Sequence, residues 1–474
     1  MPPKKKQLVN RFSTALQPWE GLITSQDPYS ISEKACVWIE GLPKLTGAIE
    51  TPPASSQVLS LSSIKYYFNA YINGIYHVVL TGSNIVFYNS NFNQVASTSM
   101  TDEICDWCVQ DNQYLWVVTR NKLIAFNGTT IYDLSSANVF GDTICYWKGR
   151  VFIAKDRTIT YTVPNPNPSG SVSAIFNTSQ GAGYIMPSAG EYSKIYALVP
   201  KEDTIFIFTN MNIMGLIGTT ISNDPTQWYI AELSSGVGIT GIRKYAVIEH
   251  TIYFHSQMGM YGIIATLAQK IDDAITNVTQ NVKAVGFFQY NQQPYLAVIA
   301  PKHIGEGYAM YCYNVLLKKW YALNIDAISI CTCDNVTTYY TIGNKIYKLF
   351  GSNNSYLPLK VVSKRFFNAE GVYYNIRSLF LYGRGSDRYE VKGALNMQRN
   401  YNVKGYRGLI FMGENQFIFG SGGSGMILQQ RDFFNLVFYP LNDPFSKRFD
   451  EFDFTIEQQT TDYSELILVK FTGT

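Results

Sequence analysis

The sequence predicts an all-β protein: a β-propeller of six or seven blades over residues 60–358, an extended N-terminal arm before it (residues 1–59) and a β-sandwich-like domain after it (residues 359–474). Three observations predict it. Apolar runs of four to six residues, divided by turn signals, recur at roughly 40 to 45 residues, which is the spacing of four-stranded blades. Aromatic residues make up 15% of the chain, with 35 Tyr and 28 Phe, and charged residues only 15%, a profile suited to pleated, half-buried surfaces. Leu357-Pro358 then breaks the rhythm, and longer strands without blade spacing follow.

The arm has scattered prolines and little periodicity, so it reads as an extended segment laid over a surface, with Trp19, Leu22, Ile23, Trp38 and Leu42 as anchors. Strands begin at Ile64-Lys65-Tyr66-Tyr67-Phe68, turn at Asn73-Gly74 and continue through Ile75–Leu80 and Ile85–Tyr88. Asn-Gly between apolar runs is the strongest short-range hairpin signal. The repeat is clearest from Ile104 to Val163, where Ile104-Cys105-Asp106-Trp107 opens one unit and Ile144-Cys145-Tyr146-Trp147 the next. After Val163 a Pro-, Gly- and Ser-rich segment predicts a long exposed loop between blades. Strands resume at Ile195–Val199, Thr204–Phe208 and Ile213–Ile217. A further unit spans Val237 to Asp273, with a short helix expected over Leu267–Ile275. Two more run from Val282 to Tyr321 and from Ile328 to Phe350. Beyond Pro358, strands are expected at Val372–Tyr382, Tyr389–Leu395, Leu409–Phe411, Gln416–Phe419, Phe433–Tyr439, Phe449–Glu457 and Leu466–Phe471.

Composition excludes several function classes. With 38 basic and 35 acidic residues the net charge is +3, too small a field to commit the chain to gripping nucleic acid. Lys4-Lys5-Lys6 has no apolar segment behind it and does not read as a secretory signal, and no run of ~18 apolar residues offers a membrane span, so synthesis in a cytoplasm is expected. The 7 cysteines argue against a disulfide framework. Cys105 and Cys108 form a CxxC, but positions three apart on a strand point to opposite faces. Cys331 and Cys333 share a face, yet none of His77, His250, His255 and His303 is near in sequence to complete a metal set, so buried, reduced cysteines are expected. No catalytic, cofactor-binding or metal-binding residue is assigned, and no cofactor is expected: GxSxG, HExxH, Walker and Rossmann patterns are all missing from the sequence. Ser222-Asn223-Asp224-Pro225-Thr226-Gln227-Trp228 shares Ser, Asp, Thr and Trp with a sialidase Asp-box but lacks its central glycine and occurs once. Asn-x-Ser/Thr triplets at Asn127, Asn177, Asn277, Asn335 and Asn353 would matter only in a secretory pathway. Gly420–Gly425 reads as a loop tip without the lysine of a phosphate loop. Asp450, Glu451, Asp453 and Glu457 read as a solvated strand face, with a calcium site or a DNA-repelling channel wall as the sharper alternatives.

Certain stretches carry a resemblance. The arm segment Gly21-Leu22-Ile23-Thr24, with Pro28, Ile31, Gly47 and Pro52, resembles the opening of the tail nozzle or tail-hub proteins of short-tailed bacteriophages, also called packaged-DNA stabilisation proteins. The turn Asn223–Trp228 is similar to one common in phage tail proteins, and Val237–Asp273, with Lys270-Ile271-Asp272, resembles a blade of that hub protein. The order of arm, propeller and C-terminal sandwich matches in layout. The resemblance implies a structural virion protein, not an enzyme, made in the host bacterial cytoplasm and localised to the virion tail. It further implies a homohexamer that extends the channel of the portal and its adaptor, retains and later releases packaged DNA without reading its sequence, and anchors tail-tip or fibre proteins. The alternative, from another class, is a propeller that binds glycans or hydrolyses a host surface polysaccharide, motivated by the Tyr and Trp content.

Overall fold

A computed structural model describes residues 19–27, 30–32, 34–187, 194–218, 224–264, 266–332, 337–364, 381–385 and 455–470 in full. It gives the backbone of strands at 12–15, 366–367, 376–380, 389–395, 399–407, 433–440, 451–454 and 471–473.

Among the described residues, seven antiparallel four-stranded units follow one another along the chain. The first six start at Tyr66, Asp106, Thr143, Ile195, Tyr245 and Ala284, and each adds its next three strands in sequence order. The seventh is built differently. Its inner three strands are Ser329–Thr332, Thr338–Ile342 and Lys345–Lys348, and its outermost strand is Ser56–Ser60 from the arm, with Lys345 opposite Ser60 and Lys348 opposite Ser56. The inner strand of this blade lies against Tyr66–Tyr71 of the first, which closes the ring. The fold is a β-propeller, with seven blades.

The second strand of each blade is buried on both faces, and the sequence shows why. In Tyr114–Val118, Leu115 and Val117 pack toward the first blade with Phe68, Phe87 and Phe126, while Trp116 and Val118 pack toward the third with Val151 and Ile153. Alternation sends successive side chains to opposite faces. Continuous apolar runs therefore fill two interfaces at once. The pattern repeats around the wheel: Phe152 and Ile159 meet Leu198 and Ile205, Phe208 packs 5.1 Å from Phe254, and Tyr67 and Val79 of the first blade meet Tyr339 and Ile346 of the seventh.

Two local expectations are corrected. Leu267–Lys270 is the outer strand of the fifth blade rather than the start of a helix, because its backbone pairs in register with Tyr261–Ile264. The segment after Val163 does not merely link blades: it contains a helical turn at Val172–Ile175 and the third blade's outer strand, Gly183–Ile185, which pairs with Ile159–Tyr161.

The arm behaves as expected of a tied-down segment, and it reaches further. Trp19, Leu22, Trp38 and Leu42 are buried, with Ile23 half-buried. Gly21 has φ +88°, and a Cβ there would meet the Trp320 carbonyl at 2.8 Å, so the Gly-Leu step lets the arm lie directly on the sixth blade. The Leu22 amide then donates to Trp320 O at 2.8 Å and the Thr24 amide to Ala274 O at 2.8 Å. Cys36–Glu40 pairs with Lys360–Ser363 and touches the sixth blade's outer strand at Glu40 and Ala322. From there one hydrogen-bonded path runs through the C-terminal strands Glu451–Gln458, Tyr389–Leu395, Arg399–Arg407, Phe433–Pro440, Ile376–Gly385 and Ser464–Gly473, then returns to the arm at Ile49–Glu50 and Leu42–Pro43. Only Gly41, at φ +144°, separates Glu40 from Leu42, so the path begins and ends on the same stretch of arm. The strands expected at Leu409–Phe411 and Gln416–Phe419, and the loop Gly420–Gly425, lie outside the described residues.

Because Ser56–Ser60 covers Tyr347 and Ile346, a chain lacking residues 1–60 should keep its blade sequence but expose the seventh blade's outer edge. Increased binding of a solvatochromic dye and loss of a single cooperative calorimetric transition are expected. An unchanged transition would show that the strand is dispensable for closure.

Candidate functional site

The inner strands converge on an axial cavity of about 370 Å³. Its mouth carries exposed Tyr71, Asn112 and Pro200, and Trp107, Ile144, Leu198, Tyr245 and Thr332 contribute to the walls. Arg243 enters it from the turn before the fifth blade, with φ +57°. Its guanidinium lies 3.7 Å from the Trp107 ring centroid, and the other face of that ring is stacked on Phe68 at 3.9 Å. Arg243 Nε faces Asp106 Oδ1, Nη2 donates to the Trp107 carbonyl, and Nη1 donates to Tyr245 Oη at 3.4 Å.

Asp106 is 1% exposed and serves more than the arginine. Its Oδ2 accepts from Thr143 Oγ1 at 2.6 Å and from the Ile144 amide at 3.0 Å, while Thr143 Oγ1 accepts from the Leu198 amide at 3.2 Å. A polar chain thus passes from the fifth blade across the axis to the second, then through the third to the fourth. Although burial opposes its charge, Arg243 holds its proton more tightly than an ordinary arginine because Asp106 stands against it. Neither the Asn69 Oδ1 nor its Nδ2, in a residue 3% exposed on the cavity wall, has a hydrogen-bond partner.

The residues singled out in sequence are placed differently. Cys105 and Cys108 lie at the boundary between the second and third blades, and Cys331 beside Asn69; all three are free thiols pushed up by burial. Cys333 and Asp450 lie outside the described residues, as do the side chains of Glu451 and Asp453, while Glu457 stands 3.6 Å from Lys360. No group of three metal-ligating His, Cys, Asp or Glu side chains occurs among the described residues. His77 is buried against Phe92 and Tyr339 with Nδ1 on the Tyr67 hydroxyl, and His255 sits between Thr240 and the Thr279 carbonyl. His303 is bonded to Asn277 and His250 is exposed beside Glu202. The Asp-box-like turn is structural: Asp224 Oδ1 accepts from the Thr226 amide at 2.9 Å, capping Pro225–Gln227, and Trp228 packs 5.5 Å from Phe152 and 5.4 Å from Tyr161. Arg243, Asp106, Thr143 and Asn69 were not singled out in sequence. A charged residue inside an apolar strand opening, as Asp106 is in Ile104-Cys105-Asp106-Trp107, is the signal that could have marked one of them.

The geometry defines the class as a seven-bladed β-propeller with a C-terminal β body closed through its own N-terminal arm. No protein-family model matches the sequence, and no curated protein does either. Solved structures it is similar to include BBS1N in complex with ARL6DN, at TM-score 0.42 and 9% identity, covering 64% of this chain and 97% of that one. The WD40 domain of Neurospora crassa Pan2 aligns at TM-score 0.39 and 6% identity, covering 62% and 88%. PorZ, a surface component of the type-IX secretion system of Porphyromonas gingivalis, aligns at 0.39 and 9%, covering 73% of this chain and 46% of that one. Likenesses of this size carry no argument about what the chain does. Among the described residues, no helix is long and apolar enough to cross a membrane.

Two outcomes follow from the buried groups. Asp106→Ala strands the Arg243 charge and two donors, and should cost about 3–5 kcal/mol in denaturant unfolding; a loss below about 1 kcal/mol would show that solvent replaces the carboxylate. Burial pushes His77 and His255 each down to about 4, so between that value and the unfolded ~6.5 the unfolded chain holds more protons. Stability should be flat in these groups above pH ~6.5 and fall by up to about 1.4 kcal/mol per pH unit per histidine as pH drops through the window. Unfolding midpoints of His77→Phe should fall less steeply than those of the parent; equal slopes would mean His77 is charged in the fold.

Proposed function

We propose that this chain is a structural subunit of a ring, the tail nozzle or hub of a short-tailed bacteriophage, without catalytic activity of its own. In this reading six copies extend the portal-adaptor channel, help retain and release packaged DNA, and anchor tail-tip or fibre proteins. The observation that carries the assembly part is the outer rim of three consecutive blades. Tyr184 and Met186 are 68% and 65% exposed at the edge of the third blade, Tyr229 is 55% exposed on the fourth and Leu267 64% exposed on the fifth. Large apolar side chains exposed on the rim of successive blades suit contact with another subunit. The sixth blade's outer strand is covered by the arm and the seventh's outer strand is the arm itself, so the free rim and the anchored side lie on different blades. A near-neutral chain, at net charge +3, also suits a channel through which DNA must slide rather than be captured.

The double variant Tyr229→Asp, Leu267→Asp tests this. It should leave the unfolding free energy within about 0.5 kcal/mol, as surface substitutions do, yet convert a ring into monomers in sedimentation equilibrium. A parent protein that stays monomeric at high concentration, with particles made without it retaining their DNA, would overturn the reading. Turnover or specific binding of a host polysaccharide by the isolated protein would favour a glycan-directed propeller instead.

A further inference from the structure

We propose that Asn73 is a site of spontaneous covalent modification, where the chain converts through a cyclic imide to aspartate and isoaspartate. The inference is independent of ring assembly. Asparagine followed by glycine is the pair most open to this chemistry, since glycine has no Cβ to hinder ring closure. The sequence holds two such pairs, Asn73-Gly74 and Asn127-Gly128, and the fold treats them in opposite ways. Asn127 Oδ1 accepts from the Thr129 amide at 3.0 Å, the Thr130 amide at 2.8 Å and Thr129 Oγ1 at 3.1 Å, and its Nδ2 donates to Tyr132 Oη at 3.1 Å. Gly128 beside it is buried, and a Cβ there would meet Tyr76 Oη at 2.8 Å. That carboxamide is held and its glycine is covered. Asn73 instead is exposed, with φ +50°, in the turn between Tyr66–Tyr71 and Ile75–Leu80 of the first blade. Among the described residues its carboxamide has no hydrogen-bond partner, nor has the Gly74 amide nitrogen, and a Cβ on Gly74 would meet nothing within 4 Å. The side chain is therefore free to turn its Cγ toward that nitrogen. Once the Gly74 N–H gives its proton to hydroxide, the nitrogen bonds to Asn73 Cγ, the Cγ–Nδ2 bond breaks and ammonia leaves. Water then opens the ring: cleavage at Cγ restores the peptide with aspartate in place of Asn73, and cleavage at the main-chain carbonyl routes the chain through Cβ as isoaspartate. The sum is amide plus water to carboxylate plus ammonium. Either product sets a negative charge just after Tyr71, which stands at the mouth of the axial cavity.

The test incubates the full-length folded protein in mildly alkaline buffer and follows both Asn-Gly peptides by mass spectrometry, with an isoaspartyl methyltransferase reporting the rerouted product. Asn73 should convert at least about tenfold faster than Asn127, the factor set by the hydrogen bonds that hold the second carboxamide. In the chain unfolded by denaturant both side chains are released, and the difference should vanish. Equal rates in the folded protein, or an unchanged Asn73 while the unfolded chain converts, would overturn the proposal. Gly74→Ala, checked for folding by circular dichroism, should slow conversion of Asn73 at least about tenfold, because the new methyl group hinders ring closure; undiminished conversion would overturn the route through the Gly74 nitrogen. Should that variant not fold, hydroxylamine treatment of the parent decides the route, since it cuts the chain at a cyclic imide. A cut between Asn73 and Gly74 supports the ring, and conversion without any cut there, or without isoaspartate among the products, overturns it.

Discussion

The structure depends on one constraint: no blade owns its core. Leu115 and Trp116 are neighbours in sequence, yet one belongs to the interface with the first blade and the other to the interface with the third. A strand buried on both faces is stable only while both neighbours are present, at about 1.5–3 kcal/mol for each large apolar side chain covered. The ring must therefore close, or two apolar faces remain open. Closure falls to the contact of Tyr67 and Val79 with Tyr339 and Ile346, made between blades at opposite ends of the propeller sequence. Ser56–Ser60, placed before the first blade, completes the last one and locks that contact by backbone hydrogen bonding.

At the axis the same geometry produces the opposite chemistry. Inner strands of several blades line one cavity of about 370 Å³, and a guanidinium lies within it. Arg243 crosses that space and lies flat on Trp107, while its partner Asp106 also receives Thr143 and the Ile144 amide. A buried ion pair is a poor source of net stability, since both charges lose water. Its multiple partners make it a gauge of alignment: a shifted second or third blade would leave Asp106 or Thr143 unsatisfied, a cost of about 1–3 kcal/mol for each neutral group.

How much of this could be read beforehand follows from where the information lies along the chain. The inner three strands of each blade were legible because hairpin neighbours are local, and Asn73-Gly74 or Lys148-Gly149 writes the turn between them. Outer strands were harder. That of the seventh blade lies in the arm, and that of the third hides behind the helical turn at Val172–Ile175, which left the blade count open between six and seven. Leu267–Lys270 reads as helical because Leu, Ala, Gln and Lys are all good helix formers, while its pairing with Tyr261–Ile264 is a tertiary fact. The axial site was not legible as a set, although Asp106 inside an apolar strand opening signals one member of it. Its members come from separate blades, Arg243 standing 136 positions after Trp107, and no spacing rule links a turn before one blade to the inner strand of another.

The arm decides how load would pass through such a molecule. Lys44 Nζ lies 2.8 Å from Glu465, 3.1 Å from Glu50 and 2.9 Å from the Tyr463 hydroxyl, while Asn291 of the sixth blade donates to Glu50 at 2.6 Å. Burial works against the charge on Lys44, yet those partners raise its pKa above the ordinary lysine value. Trp38 donates to Glu40 at 2.8 Å and packs edge-on against Tyr311, so the same short stretch is fixed on its apolar side as well. Pulling the C-terminal strands away from the propeller would have to break this cluster and unzip Ile49–Glu50 from Leu466 and Glu465. Hydrogen-bonded strands loaded together in shear resist far more than a flexible tether, which transmits force only after it is extended. The chain therefore joins its two β bodies by shared strands rather than by a linker, and it does so on the sixth and seventh blades, while among the described residues the outer strands of the first five blades pair with no further strand.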